Sequence, residues 1–187
     1  MAALTLDRWN LSIGDGLPLM AIAGLNVLED EGLALETAAH LKAVCASLNL
    51  PYVFKASFDK ANRSSISSYR GPGLAAGLKI LAKVKAVHGV PIATDIHEIE
   101  QAQPVAEVVD LLQIPAFLCR QTDLVVASAR AIHATGGLLH VKKGQFLAPW
   151  DAKNILGKVR EAVDGADIAI LCARGAAFGY NNLEVDM

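Results

Sequence analysis

The sequence predicts an α/β fold in which six consecutive βα units form a parallel sheet that is arranged as a barrel. Short aliphatic runs alternate with longer amphipathic segments along the chain. The short runs are apolar almost throughout, which is typical of strands covered on both faces of a parallel sheet. Polar residues stand at or just after the end of each predicted strand. In a barrel these ends meet at one mouth, where the active sites of this fold lie.

Six strands and five connecting helices are predicted, in alternating order. The strands are Leu19–Gly24, Tyr52–Ala56, Pro91–Asp95, Val108–Gln113, Leu138–Lys142 and Asp167–Cys172. The helices are Leu33–Leu48, Gly73–His88, Glu98–Val105, Thr122–His133 and Asp151–Val163. The first 18 residues, with Gly14-Asp15-Gly16 as a turn signal, predict a small hairpin under the barrel. An open doubly wound sheet is the alternative, but only the strand ends beside its switch point would meet at one ligand.

The length and composition indicate a single domain, 1–187, in the cytoplasm. Charges interrupt the 53% of apolar residues, so no run approaches the roughly 18 residues that a membrane helix needs. The N-terminus lacks the order of a secretory signal, and the three cysteines contain no C-x-x-C pair. The net charge of −2 argues against bulk affinity for nucleic acids or anionic membranes. Any anion site must therefore be local.

The densest polar stretch, Lys55–Ser65, follows the second predicted strand and is rich in donors for phosphate and carboxylate oxygens. These donors are Lys55, Lys60, Asn62, Arg63 and Ser64. After the fifth and sixth strands, Lys142, Lys143 and Arg174 add positive charge on the same predicted face. This charge exceeds what one phosphate requires, so it indicates two anionic substrates or one with two anionic groups. A lysine that forms a Schiff base is an alternative, although no single lysine stands out.

Asp95 and His97 close the third predicted strand. A carboxylate beside an imidazole indicates a metal ligand or a general acid–base group. Glu98 instead suits the first turn of the next helix, where the helix dipole favours an acid. The remaining histidines have no clustered partner in the sequence. We interpret these as surface or packed residues: His40, His88, His133 and His140.

Seven segments, in order and nearly from end to end, carry a specific resemblance to a known family. They are GLNVLE (24–29), PYVFKASFDKANRSS (51–65), SYRGPG (68–73), TDIHE (94–98), QAQPVAEVVDLLQIPAFLCRQTDL (101–124), VKKGQF (141–146) and RGAAFGYNNLEVDM (174–187). These segments resemble the 3-deoxy-D-manno-octulosonate 8-phosphate synthases, and KASFDKANRSS is the most specific of them. The resemblance implies a homotetrameric TIM barrel that condenses phosphoenolpyruvate with D-arabinose 5-phosphate in lipopolysaccharide biosynthesis.

Position by position, the resemblance implies two sets of binding residues. Phosphoenolpyruvate would be held by Lys60, Lys142, Arg174, Gln113 and Ala116. The pentose phosphate would be held by Lys55, Asn62, Arg63, Ser64 and Asp95. Arg120 would reach the site of a neighbouring subunit. The residues expected to act in catalysis are Asn26, Lys60, Asp95 and Lys142.

Asn26 bears on the cofactor. The resembled family divides into a metal-dependent group with cysteine at this position and a metal-independent group with asparagine. An amide is a poor substitute for a thiolate on a soft or borderline divalent metal. The resemblance therefore predicts that the protein needs no metal and no other cofactor.

The resemblance covers six of the family's eight βα units, and Ala173 stands where relatives usually carry an acid. In the family, strands seven and eight would follow Met187, with a histidine and acidic residues of the last loops. We therefore expect open parallel edges, which invite pairing with another chain. The alternative function is a non-catalytic truncated paralogue or fragment that associates with a full-length synthase through Pro115–Leu124, an apolar segment that also contains Arg120. The KANRSS and PAFLCRQTDL runs disfavour the sibling synthase that uses erythrose 4-phosphate.

Overall fold

Parallel strands in chain order form the main sheet of the computed structural model, which describes residues 3–177, 179 and 184. An antiparallel hairpin precedes this sheet and consists of β1 (Leu4–Leu6) and β2 (Leu11–Ile13). The six-stranded parallel sheet then consists of β3 (Ala21–Leu25), β4 (Tyr52–Ala56), β5 (Ile92–Asp95), β6 (Leu111–Ile114), β7 (Leu138–Lys142) and β8 (Ala169–Cys172). This order confirms the predicted α/β class with a parallel sheet. The assignment of 1–187 to one domain stays a prediction.

Helices connect the parallel strands. They are α1 (Glu31–Ser47), α2 (Leu74–His88), α3 (Ala102–Ala106), α4 (Thr122–Ala134) and α5 (Lys153–Ala162). The first helix begins two residues before the predicted start because Asp30 caps it, accepting a hydrogen bond from the backbone N–H of Leu33 at 2.8 Å. Among the described residues, no helix is long and apolar enough to cross a membrane.

Two predicted elements differ from the observed ones for a local reason. The strand predicted from Val108 begins only at Leu111, because the backbone N–H groups of Val108 and Val109 both donate to Val105 O at 3.0 Å and continue the preceding helical turn. The helix predicted over Glu98–Val105 is a 3₁₀ turn followed by the short α3. Val108 and Val109 suit a strand by residue type, but their backbone hydrogen bonds place them in the turn that ends the helix.

The parallel sheet curls, so that its two edges face a common space. Side chains of the first strand, including Ile22, and of the last strand, including Cys172, line one cavity of about 630 Å³. Within the described part of the chain, β3 and β8 are each paired on one side only. The sheet therefore brings the ends of all six strands toward one face, as the barrel interpretation requires.

The N-terminal hairpin is present, but its turn lies elsewhere than predicted. β1 and β2 pair with Leu4 opposite Ile13, so that the connection spans Asp7–Asn10, and Asn10 has a left-handed backbone with φ +47°. Gly14 belongs to a separate turn after β2, in which Leu17 N donates to Gly14 O at 3.2 Å. Trp9 of the connection lies 5.7 Å from the ammonium group of Lys85 in α2.

A buried ion pair joins α2 to the sheet and yields a stability prediction. Asp110 is 1% exposed, and it accepts hydrogen bonds from Lys85 Nζ at 2.9 Å and Ile92 N at 3.0 Å. Asp110→Asn should lower the free energy of unfolding by about 3 kcal/mol, because it leaves a partly buried ammonium without its counter-charge.

Urea unfolding monitored by circular dichroism measures this loss. The matched control is Asp167→Asn, which removes an ion pair with Arg160 whose carboxylate side chain is 53% exposed and should cost less than about 1 kcal/mol. Equal losses in the two variants would contradict the prediction.

Candidate active site

The carboxyl ends of the strands place most of the predicted site residues around one polar cavity of about 220 Å³. Its lining comes from the ends of β5, β6 and β7 and from the loops after β3, β4, β6 and β8. The lining residues are Asn26, Lys60, Asn62, Arg63, Asp95, Gln113, Pro115, Ala116, Phe117, Lys142 and Arg174. This convergence follows from the parallel topology, because neighbouring strands that run in the same direction end at the same edge.

Ser57, which was not among the predicted site residues, makes hydrogen bonds to three of them. Its Oγ accepts from Lys55 Nζ at 2.7 Å and from Lys60 Nζ at 3.0 Å, and it donates to the carboxylate of Asp95. Ser57 follows Lys55 by two residues, and alternation along an extended chain places such residues on the same face. That spacing is the signal that could have identified it.

Among the described residues, Asp95 is the only carboxylate that lines this cavity. Lys55 Nζ lies 3.1 Å from its Oδ1, and His97 Nε2 lies 3.5 Å from its Oδ2. Burial opposes ionisation of Asp95, but hydrogen bonds from His97 and Ser57 and the charges of Lys55 and Lys60 outweigh burial. Together they hold the pKa of Asp95 well below its usual range, so Asp95 is a carboxylate at neutral pH.

The loop after β4 is folded back so that its donors face the cavity. Lys60 N donates to Arg70 O at 2.7 Å, and the guanidinium of Arg70 pairs with Asp59 through Nε at 2.8 Å and through a second nitrogen. Gly71 makes this close approach possible with φ +121°, since a Cβ there would lie 2.4 Å from Phe58 O. Arg63 is held by a 3.1 Å bond from its Nε to Tyr69 O.

The cavity carries an excess of positive charge. Burial, followed by the charge of Lys55, lowers the pKa of Lys60 to about 8. The same two causes, in the same order, lower the pKa of Lys142 from its ordinary value. Arg63 and Arg174 add further cations to the lining, against the single carboxylate of Asp95. This excess of positive charge would be neutralised by an anionic ligand.

Three predicted binding residues are absent from the lining of this cavity: Lys55, Ser64 and Arg120. Lys55 lines the neighbouring cavity of about 630 Å³ and reaches the site through its hydrogen bond to Ser57. Ser64 is exposed on the loop after β4. Arg120 lines a different cavity of about 330 Å³, together with Leu147, Asp151, Asn154, Ile155 and Lys158. The roles predicted for all of these residues stay predictions.

Lys143 differs from its predicted place on the site face, because its ammonium group is buried against backbone carbonyls. In the RGAAFGYNNLEVDM segment, residues 178, 180–183 and 185–187 lie outside the described part of the chain. In that part, no group of three or more His, Cys, Asp or Glu side chains is arranged to hold a metal ion.

His140 is a packed residue, as interpreted, but it faces the interior that the sheet encloses. It is 7% exposed and lines the cavity of about 630 Å³ with Lys55, Gln113, Lys142 and Cys172. Burial, then the charges of Lys142 and Lys55, lower its pKa to about 4, so the imidazole is neutral at pH 7. Its position two residues before Lys142 in β7 is the signal that places it on the same face.

Comparison with known proteins identifies relatives along the whole chain. A 2-dehydro-3-deoxyphosphooctonate aldolase from Geobacter sp. (strain M21) is 55% identical over 177 residues, which are 95% of this chain and 63% of the relative. Proteins with the same name from Stutzerimonas stutzeri (strain A1501) and Shewanella piezotolerans (strain WP3) are 54% and 52% identical over 187 residues, 100% of this chain and 64% of each relative. The chain thus spans a little under two thirds of the length of these relatives.

The family model described as "DAHP synthetase I family" matches residues 3–187, which is nearly all of the chain. The match includes every strand of the parallel sheet and every residue that lines the polar cavity. The chain therefore belongs to the DAHP synthetase I family.

Proposed function

We propose that this protein condenses phosphoenolpyruvate with D-arabinose 5-phosphate to 3-deoxy-D-manno-octulosonate 8-phosphate and inorganic phosphate, within a (β/α)8 barrel. The observation that carries the proposal is one cavity whose described lining has the cations Lys60, Arg63, Lys142 and Arg174 against a single carboxylate. Two phosphorylated substrates account for this excess of charge. The names of relatives that are 52–55% identical over the aligned residues support the same reaction.

The two substrates divide the predicted binding residues between them in this proposal. Lys60, Lys142 and Arg174 bind phosphoenolpyruvate, with Gln113 and the backbone at Ala116 near its phosphate. The pentose phosphate is bound by Lys55, Asn62, Arg63, Ser64 and Asp95, and Asn26 lies beside the reacting carbons. Ser57 links the two sets, because it contacts both Lys55 and Lys60. Binding the substrates side by side removes much of the entropy cost of the bimolecular step.

The proposed reaction joins the two substrates and consumes one water molecule. C3 of phosphoenolpyruvate attacks the aldehyde carbon of the pentose, whose oxygen takes up a proton and becomes a hydroxyl. Water adds to C2 and loses a proton, and the C2–O bond to the phosphate then breaks, leaving the keto acid and inorganic phosphate. The ammonium and guanidinium groups stabilise the oxyanions that develop, and they are already in place before the reaction begins.

A phosphate-release assay with the purified protein tests the proposal. Phosphate should appear from phosphoenolpyruvate only when arabinose 5-phosphate is present, and erythrose 4-phosphate should not replace it. Absence of release with arabinose 5-phosphate, or equal release with erythrose 4-phosphate, would contradict the proposed substrates. Mass spectrometry of the product distinguishes condensation from simple hydrolysis.

We further propose that the reaction needs no metal ion. The support is Asn26, an amide at the position where the metal-dependent members of the resembled family carry cysteine. Prolonged treatment with a chelator should therefore leave the turnover rate unchanged. Loss of activity with chelator and its return with a divalent metal would show that the assignment is wrong.

The depressed pKa of Lys60 predicts how substrate binding depends on pH. The protonated ammonium binds the anion, and in the free protein this group loses its proton near pH 8. The affinity for phosphoenolpyruvate should therefore be steady below about pH 7 and fall about tenfold by pH 9. Calorimetric titration measures it. Lys60→Arg keeps its charge over this range and should flatten the profile. An equally steep decline in Lys60→Arg would contradict the assignment to Lys60.

The proposal extends to a cytoplasmic homo-oligomer, a tetramer by resemblance, that acts in lipopolysaccharide biosynthesis. Arg120 lines a cavity separate from the polar one, which suits a residue that reaches a neighbouring subunit. Phe117, Phe146 and Trp150 are exposed large apolar side chains near the strand ends, and such residues are enriched at interfaces. Light scattering after size exclusion tests the tetramer.

A further inference from the structure

Lys143 is a buried cation whose hydrogen-bond partners are all backbone oxygens. Lys143 is 7% exposed. Its Nζ donates to Leu147 O at 2.8 Å, to Gly144 O at 3.1 Å and to Gly175 O at 3.2 Å. An ammonium group has three N–H donors, so these three carbonyls satisfy it completely.

The three carbonyls belong to two different loops at the carboxyl end of the sheet. Gly144 and Leu147 lie after β7, and Gly175 lies after β8, 32 residues from Lys143 in sequence. Backbone bonds accompany this connection, since Lys143 N donates to Cys172 O at 2.9 Å and Ala177 N donates to Gln145 O at 3.1 Å. The side chain of Lys143 thus fastens the β8 loop to the β7 loop.

Arg174 immediately precedes Gly175, whose carbonyl oxygen is one of the three acceptors, and Arg174 itself is exposed. It nevertheless lines the polar cavity with Lys142. Lys142 is held by strand pairing, because it lies opposite Cys172 in the register of β7 and β8. Arg174 lies beyond the end of β8, and in the described part of the chain the next backbone pairing after it is the single bridge of Ala176 with Glu184. The position of Arg174 therefore depends on what fixes the short segment that contains Gly175.

Burying an ammonium without a carboxylate partner is a costly way to join two loops. Desolvation of a charged group opposes folding even when its hydrogen bonds are satisfied, and an apolar side chain of similar length avoids that cost. The ammonium group, unlike an apolar side chain, makes directional hydrogen bonds to a carbonyl of each loop and so fixes the distance between the loops. A cavity of about 220 Å³ beside Lys143, lined also by Pro149, Ala152, Leu171, Ala173 and Gly175, leaves room for a larger cation.

We propose that Lys143 is a positioning residue that holds Arg174 in the geometry that binds phosphoenolpyruvate, by fastening the β8 loop to the β7 loop through Gly175 O. This inference rests on the proposed function for its ligand. It assigns Lys143 no contact with the substrate.

Calorimetric titration of the full chain with phosphoenolpyruvate tests the role of Lys143. Lys143→Met should weaken binding by roughly tenfold to a hundredfold, because it releases the loop that carries Arg174. Lys143→Arg should stay within about threefold of the parent, since a guanidinium keeps the charge and the donors. The matched control is Lys42→Met, which removes a lysine–carbonyl bond to His88 O at the end of α2 and should leave the affinity unchanged.

A double-mutant cycle with Arg174→Ala separates positioning from a merely structural role. If Lys143 acts through Arg174, Lys143→Met should weaken binding by less than about twofold in the Arg174→Ala background. Hydrogen exchange followed by mass spectrometry should show faster exchange in the peptides that contain Gly144–Leu147 and Gly175. If Lys143→Met does not fold, the same cycle is run with Lys143→Gln, which keeps an amide donor.

The outcomes are distinct. An unchanged affinity in Lys143→Met, or the same loss in both backgrounds, overturns the positioning role while the proposed function stands. If the parent does not bind phosphoenolpyruvate, the proposed function fails, and the role of Lys143 in binding falls with it.

Discussion

Lys142→Met is expected to lower the rate of phosphate release from phosphoenolpyruvate at least about 100-fold, as loss of a preplaced group that stabilises an oxyanion does in other enzymes. Lys142 lines both interior cavities, close to Asp95, Gln113 and Asn26. The same change should leave the protein folded and somewhat more stable. Burial and then the charge of Lys55 lower the pKa of Lys142, which means that the folded state disfavours its charged form.

Steady-state kinetics and urea unfolding at pH 7 measure the two effects in parallel. The gain in the free energy of unfolding should be about 1 kcal/mol, since removal of a functional group that is unfavourable in the folded state commonly stabilises a protein. Lys79→Met is the matched control, because Lys79 is an exposed lysine on α2. It should change neither quantity. A variant of Lys142 that loses activity only because it is unfolded would contradict the expectation.

Asp95→Asn should have the opposite effect on stability and should also impair the reaction. It removes the one carboxylate that the described residues contribute to the cavity, and it leaves Lys55, whose side chain is mostly buried, without its counter-charge at 3.1 Å. Breaking such a pair costs about 3 kcal/mol. The substrate-binding lysines would then repel one another without compensation, so we expect phosphate release to fall at least about 100-fold.

The pH dependence of the free energy of unfolding tests whether the charge of Asp95 is the cause of this loss of stability. A carboxyl group whose pKa is lowered in the folded state stabilises that state above its unfolded pKa, near 4, and this contribution is lost as the pH falls through the folded value. The difference in unfolding free energy between parent and Asp95→Asn should therefore be constant above about pH 5 and shrink in more acidic solution.

Urea unfolding between pH 3 and pH 8 measures this difference. The control is Glu31→Gln, which removes an ion pair with Lys83 whose side chains are both about half exposed and should cost less than about 1 kcal/mol. A difference between parent and Asp95→Asn that grows as the pH falls from 5 to 3 would contradict the assignment.

Much of the candidate site was predictable, because one topological rule places it. Lys60, Asp95, Gln113, Lys142 and Arg174 are far apart in sequence, yet all follow or end predicted parallel strands and line one cavity. Ser57 was not singled out and His140 was not assigned to the site, because a hydroxyl and an isolated imidazole carry little signal until their neighbours are known. Their spacing of two residues from Lys55 and Lys142 was the only sequence evidence for them.

The sequence by itself determined the parallel α/β fold, the bounds of strands such as Tyr52–Ala56 and Leu138–Lys142, and the identity of the cations at the strand ends. Periodicity and residue type are local properties, and they suffice for these. Only the tertiary structure decided that Lys143 turns away from the site, that Arg120 lines a separate cavity, and that Ser57 joins Lys55, Lys60 and Asp95. These facts depend on burial and on partners distant in sequence, such as Gly175 O for Lys143, and only the folded chain brings those groups together.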